Sequence, residues 1–260
     1  YEFINDTSLI EGDIITIETN GSVTYVNDKN TLNELSNHII MNDGVDVTES
    51  YKLTPTPGTL TITPRNVEIE LLPESKEYDG TQLTSTKWVY SSGFEDTIKE
   101  IIGDKEKLVL TTSGSITYYT NENNGVVDNE LLDYSLIIDG KELKSNYIIT
   151  AVPSTLTITK RQVNIVIKSD SKTHDGSTLT MREFDVVGKN VATGDTLSIT
   201  TNGSIKNVGS ITNSMTSYKV VNSIGLDVSL SYVVNATPGT LTIDKAEYIL
   251  ATVSAGKNYD

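Results

Sequence analysis

The chain repeats itself, and that repetition limits its architecture more than any other feature of the sequence. "SYKLTPTPGTLTITPRNVEIEL" from Ser50 returns as "NYIITAVPSTLTITKRQVNIVI" from Asn146 and as "SYVVNATPGTLTIDKAEYILA" from Ser231, so Tyr51, Tyr147 and Tyr232 stand 96 and 85 residues apart. A second marker keeps the same order: "GDIITIETNGSV" at Gly12, "GDKEKLVLTTSGSI" at Gly103 and "GDTLSITTNGSI" at Gly194, with two extra residues in the middle copy. A third, "SKEYDG" at residues 75–80 and "SKTHDG" at 171–176, marks the first turn of the later copies. On this frame residues 1–64 are a copy without its opening segment, 65–159 and 160–244 are whole copies, and 245–260 begin a further one.

Within each copy the hydrophobic pattern has the two-residue period of strands. "TLTIT" sets Leu60 and Ile62 on one face with threonines on the other, and "VNIVI" turns Val163, Ile165 and Ile167 inward; β-branched residues suit such pleated, half-buried surfaces. Asn20-Gly21 and Asn202-Gly203 lie between alternating runs, with Ser113-Gly114 in the equivalent place, and predict tight type I′ hairpins in which both residues take positive φ. Asp79-Gly80 and Asp175-Gly176 predict the same. Many short strands separated by turn signals point to an all-β chain of tandem immunoglobulin-like sandwich modules laid end to end. The alternative is a β-grasp-like module with a short helix. Two segments carry helical spacing, "TLNELSNHII" behind a Thr31/Glu34 capping box and "TIKEII" from Thr97, but the third copy has no counterpart to either.

Only Lys160-Arg161 separates the last strand of one copy from the first strand of the next, and Pro64-Arg65 makes the same passage earlier. No Gly/Ser-rich linker intervenes, so a stiff end-to-end arrangement is expected over beads on a flexible string. A sandwich of ordinary strand length would add ~35–45 Å per module.

Thirty-five acidic against 20 basic residues give a net charge of −15, which repels nucleic acid phosphate and anionic membrane. The chain has no cysteine, so neither disulfides nor thiolate metal sites are available. No apolar run approaches the ~18 residues needed to cross a bilayer. The opening "YEFINDTSLI" lacks a basic region followed by an apolar one, so a soluble fragment is expected, with any signal peptide or anchor outside it.

"YDGTQLT" at Tyr78, the mid-repeat "GD" followed by a strand and "GSIT", "SNYIIT" at Ser145 and the closing "TLTIT" together resemble the YDG/MBG-type repeats of bacterial surface adhesins. The resemblance covers essentially the whole chain. It implies a β-rich module stacked in tandem within large secreted or wall-anchored proteins that project from the bacterial cell and often serve in adhesion. On that reading the repeats form an extracellular stalk at the cell surface or cell wall, whose partners are neighbouring repeats; the alternative is that they themselves bind host glycan, mucin or matrix protein. The repeat motif comprises Tyr78, Asp79 and Gly80, matched by His174, Asp175 and Gly176, with the anchoring Tyr51, Tyr147 and Tyr232. His174 departs from it by standing where Tyr78 does.

Chemistry finds little material here. The two histidines, His38 and His174, are isolated from any nucleophile elbow, and no enzyme activity is expected. No cofactor is expected either. Calcium is the only metal with a candidate site, because "MNDGVDVTE" groups Asn42, Asp43, Asp46 and Glu49, yet without a helix-flanked loop a solvated acidic turn explains them better. Asp13, Asp104 and Asp195 each follow a glycine before a strand, where side-chain bonds to nearby backbone would account for them. Ligand binding would fall to aromatics peculiar to the middle copy: Trp88 and Tyr90, with Phe94 close by. Their alternation equally fits core packing. Tyr118-Tyr119 would put one ring outward on a strand. Lysine–asparagine or threonine–glutamine crosslinks are open to a disulfide-free stalk, and an intact mass without loss of ammonia or water would exclude them.

Overall fold

In the computed structural model residues 1–4, 8–28, 31–92 and 108–257 are described, and among them strands dominate, joined by one-turn 3-10 helices. The chain is all-β. The third copy shows how the strands are laid out. Its opening strand Arg161–Ile167 lies between Phe184–Val187, which is antiparallel to it, and Tyr232–Thr237, which is parallel. After a bend, Asp170–Thr173 continues alongside the closing strand Gly239–Asp244, again in parallel, and that strand pairs antiparallel with Gly209–Asn213. A separate antiparallel ladder joins Thr196–Thr201 to Met215–Val221. Buried Val163, Ile165 and Ile167 point into the core as their spacing requires.

The middle copy repeats the lower half of this plan, with Ser154–Thr159 between Glu74–Glu77 in parallel and Val126–Asn129 antiparallel. Its opening strand Arg65–Leu71 buries Val67, Ile69 and Leu71. The first copy is barer. Asp13–Thr19 pairs antiparallel with Leu35–Asn42, while Gly58–Leu60 meets, among the described residues, only the short Thr31–Asn33.

The helical spacing at Thr31–Ile40 does not make a helix. Those residues form the strands Thr31–Asn33 and Leu35–Asn42. The ladder from Asp13↔Asn42 to Thr19↔Leu35 recruits them and buries Ile40, so tertiary pairing overrides a local capping signal. The segment from Thr97 lies outside the described residues.

The turns are also redistributed. Gly21, Gly114 and Gly203 are not at positive φ, so these sites are not type I′ turns; a Cβ on any of them would lie within 2.5 Å of an asparagine oxygen, and close approach is what requires glycine there. Gly80 and Gly176 do take positive φ, but Asp79 and Asp175 do not. Both residues are positive at Asp43-Gly44 (φ 43° and 82°) and Asp139-Gly140 (φ 51° and 76°), and these are the tight hairpin turns of the first and middle copies.

The chain divides into two compact units, residues 1–69, 90–111 and 133–152 and residues 70–89, 112–132 and 153–260. The joint at Pro64-Arg65 falls inside the first unit and that at Lys160-Arg161 inside the second.

Candidate functional site

The motif tyrosine Tyr78 belongs to the joint. Its parallel ladder with the closing strand runs from Leu156↔Glu74 to Thr159↔Glu77, and the Tyr78 N–H continues it by donating to the Thr159 carbonyl at 2.9 Å. Tyr78 is thereby carried one residue past the closing strand, level with Lys160-Arg161, where the next copy begins. There its ring is fully buried. It packs edge-on against Tyr232 at 5.3 Å between centroids and obliquely against Tyr118 at 6.2 Å. Such aromatic pairs contribute about 0.5–1.5 kcal/mol beyond the area they bury.

One carboxylate ties the rings together. Tyr78 Oη donates to Asp195 Oδ2 at 3.2 Å and Tyr232 Oη donates to the same oxygen at 2.5 Å, while the Ala192 N–H donates to Tyr232 Oη at 2.9 Å. Burial pushes both tyrosine hydroxyls well above their ordinary range, and the negative Asp195 reinforces the shift. The recurring "GD" aspartate is therefore a hydroxyl acceptor beyond its place in a turn. In the first copy the Tyr51 hydroxyl and the Asn42 amide donate to Asp13 in the same way. Asp104 lies outside the described residues.

Charge closes the rim of the joint. Glu77 receives Lys189 Nζ at 2.9 and 3.0 Å and Arg161 Nη1 at 3.4 Å, and Arg161 also donates to the carbonyls of Asn190 and Tyr78. Lys160 Nζ stands 4.3 Å over the Tyr119 ring. The Tyr119 N–H donates to Ser231 Oγ at 3.1 Å, so Tyr118-Tyr119 is part of this contact. Its counterpart in the first unit is the Val26 N–H donating to Asn146 Oδ1 at 2.8 Å, beside Lys141 Nζ 3.2 Å over the Tyr25 ring. The core is continuous across the second joint: Tyr78, Ile116, Leu156 and Ile158 share one buried cluster with Val163, Ile165, Val220 and Tyr232.

A second recurring device has no counterpart among the motifs read from the sequence. Asn33, Asn129 and Asn213 accept the N–H of Gly21, Gly114 and Gly203 at 3.1, 3.0 and 2.9 Å. Buried Asn129 and Asn213 also donate through their amides to the carbonyls of Ser85 and Met181. The repeated "NEL" at Asn33 and Asn129 was the available signal.

The remaining candidates have structural places. Trp88 and Tyr90 are each 7 % exposed, so neither ring offers a face to a ligand; Phe94 lies outside the described residues. Asp43 forms the hairpin turn, Asp46 accepts the Thr48 N–H at 2.9 Å, and Glu49 sits in the 3-10 turn Thr48–Ser50. Hydrogen bonds from Thr48 hold Asp46 below the usual carboxylate range. Among the described residues no cluster of three or more His, Cys, Asp or Glu side chains converges on a metal position. His38 takes the place that Tyr134 and Tyr218 fill in the later copies, where each tyrosine donates to the carbonyl of the anchoring tyrosine at 2.9 Å. His174 keeps the backbone bond of Tyr78, to the Asp244 carbonyl at 2.9 Å, but its side chain is exposed. Asp79 and Asp175 each accept from a lysine three residues back, Lys76 and Lys172, and from the residue two ahead. Burial raises Asp79, but those bonds outweigh it and hold the carboxyl at about 2.

No protein-family model matches the chain, and no characterised protein matches it in sequence.

Proposed function

We propose that the chain is a length of stiff spacer from a bacterial cell-surface adhesin, holding some other region of the parent protein away from the cell. The observation that carries this is the joint: Tyr78 of one repeat is fully buried against Tyr232 and bonded to Asp195 of the next. A two-residue connection with an aromatic core, ion pairs and shared backbone bonds resists bending, whereas a bead on a flexible linker needs none of these. The repeat order and the resemblance to YDG/MBG-type modules support the extracellular setting. As the finer description of the fold we favour the β-grasp-like module over the immunoglobulin-like sandwich. Its support is the strand order, in which opening and closing strands run parallel at the centre with antiparallel partners outside. The Thr196–Thr201 and Met215–Val221 ladder then stands where such a module would carry its helix.

Small-angle scattering of the intact chain tests the spacer reading. It expects the distance distribution of an elongated particle, unchanged by host glycans, mucins or matrix proteins. A compact distribution, or saturable binding of one of those ligands, would overturn it.

A further inference from the structure

The chain enters and leaves the third copy through strands that run side by side in the same direction. Arg161–Ile167 is parallel to Tyr232–Thr237 from Arg161↔Tyr232 to Val166↔Thr237, and Asp170–Thr173 is parallel to Gly239–Asp244 from Asp170↔Leu241 to Thr173↔Asp244. Partners are 71 residues apart in every pair, so one register runs through the bend. Two contacts fix it there. The Thr240 N–H donates to Ser169 Oγ at 2.9 Å, and Gly239 lies so close to the carbonyls of Ile167 and Lys168 that a Cβ would stand 2.6 Å from each. The His174 N–H adds a last bond, to the Asp244 carbonyl at 2.9 Å.

In this arrangement the start of the opening strand and the end of the closing strand lie at opposite ends of one ladder. Tension applied at Lys160 and Lys245 therefore drives the two strands past each other along their axes. The evenly spaced bonds of a parallel ladder share that strain, so many must fail together. Buried Val163, Ile165 and Ile167 on one strand and Val234, Leu241 and Ile243 on the other resist sliding further, because a one-residue slip turns an apolar face outward. The antiparallel ladder of Thr196–Thr201 with Met215–Val221 would open bond by bond if pulled at its free ends. Its residues lie between the two sheared strands, however, and receive no tension while the parallel ladder holds.

The middle copy ends on the same element. Ser154–Thr159 is parallel to Glu74–Glu77, and only Lys160 separates Thr159 from the opening strand of the third copy. Tension thus passes from one parallel ladder directly into the next. With no cysteine in the chain, no disulfide relieves these ladders of it.

We propose that the repeats carry tension along the chain, the parallel pair of opening and closing strands acting as a shear clamp that keeps a repeat folded while the protein is pulled between two attachment points. The setting in which such tension arises rests on the spacer reading. The clamp itself rests on strand direction alone.

Optical-tweezer unfolding of the intact chain tests it, since the absence of native cysteine lets thiol-linked handles be placed at chosen residues. Lys160→Cys/Lys245→Cys pulls the third copy in the shear direction. His174→Cys/Lys245→Cys uses two exposed positions at one end of the same ladder, where the strands finish side by side, and unzips it. At one loading rate the first variant should rupture at several-fold the force of the second, while both unfold at the same urea concentration. Forced unfolding is governed by the unfolding rate and not by equilibrium stability, so unequal forces at equal urea midpoints isolate the geometry. Equal forces, or a higher force in the second variant, would overturn the proposal. Unequal forces in a chain whose scattering is compact would remove the spacer reading and leave the clamp standing.

Discussion

At the residue scale, the repeats are held by buried asparagines that bond the backbone of two segments at once. Asn213 is fully buried and serves two backbone groups, the Gly203 N–H and the Met181 carbonyl. Asn213→Ala should cost about 2–3 kcal/mol in urea unfolding, because the buried Gly203 N–H loses its acceptor, while the Met181 carbonyl keeps the Thr201 hydroxyl at 3.0 Å. Asn33→Ala, half-buried and accepting from the half-buried Gly21 N–H, should cost about 1 kcal/mol by the same reasoning. Equal losses in the two variants would contradict the clamp. Tyr78 and Tyr232 set a pH dependence. Their folded-state values lie above the ordinary 10.0, so the stability they contribute is complete below that pH and is lost as pH rises through the folded values. Stability measured by urea unfolding should therefore fall less steeply with pH above 10.0 in Tyr78→Phe than in the wild type. Neither device was legible beforehand. The glycines of the NG pairs were visible, but a glycine needed for positive φ and one needed for close approach look the same until the approaching side chain is placed.

At the element scale, strand existence was legible and strand partnership was not. Alternation at Val163, Ile165 and Ile167 marked a buried face correctly, because period-two patterning is local. The same logic put Leu60 and Ile62 on one face, and they are half-buried beside the short ladder of Gly58–Leu60 with Thr31–Asn33. Thr31–Ile40 carried helix signals and became strand because its ladder partner is Asp13–Thr19. The tight hairpin turn fell on Asp43-Gly44, inside a stretch whose acidity had suggested calcium. The length of the joint matters at this scale, because the ladder brings Tyr78 level with Lys160-Arg161 and no further. Inserting two glycines between Lys160 and Arg161 should release Tyr78 to solvent while each copy stays folded. Tyrosine nitration mapped by mass spectrometry would then find Tyr78 newly reactive, with the emission of buried Trp88 unchanged. Continued protection of Tyr78 would show that the joint does not depend on connection length.

At the scale of the whole molecule, repetition was legible and the role of its markers was not. The "YDG", "GD" and "SY" signals stood out as separate landmarks, and the structure joins them: Tyr78 of one copy meets Asp195 and Tyr232 of the next, 117 and 154 residues further on. No spacing rule reports a contact at that separation. The three markers meet at the second joint, and a chain built this way gains stability from neighbours as well as from within each copy. A double-mutant cycle between Tyr78→Phe and Asp195→Ala, read from urea unfolding of the intact chain, tests this most directly. If the joint couples the two repeats, the two losses should fail to add by about 0.5–3 kcal/mol, as for groups in direct contact. Losses that add to within about 0.3–0.5 kcal/mol would mean that the two repeats do not communicate through Tyr78.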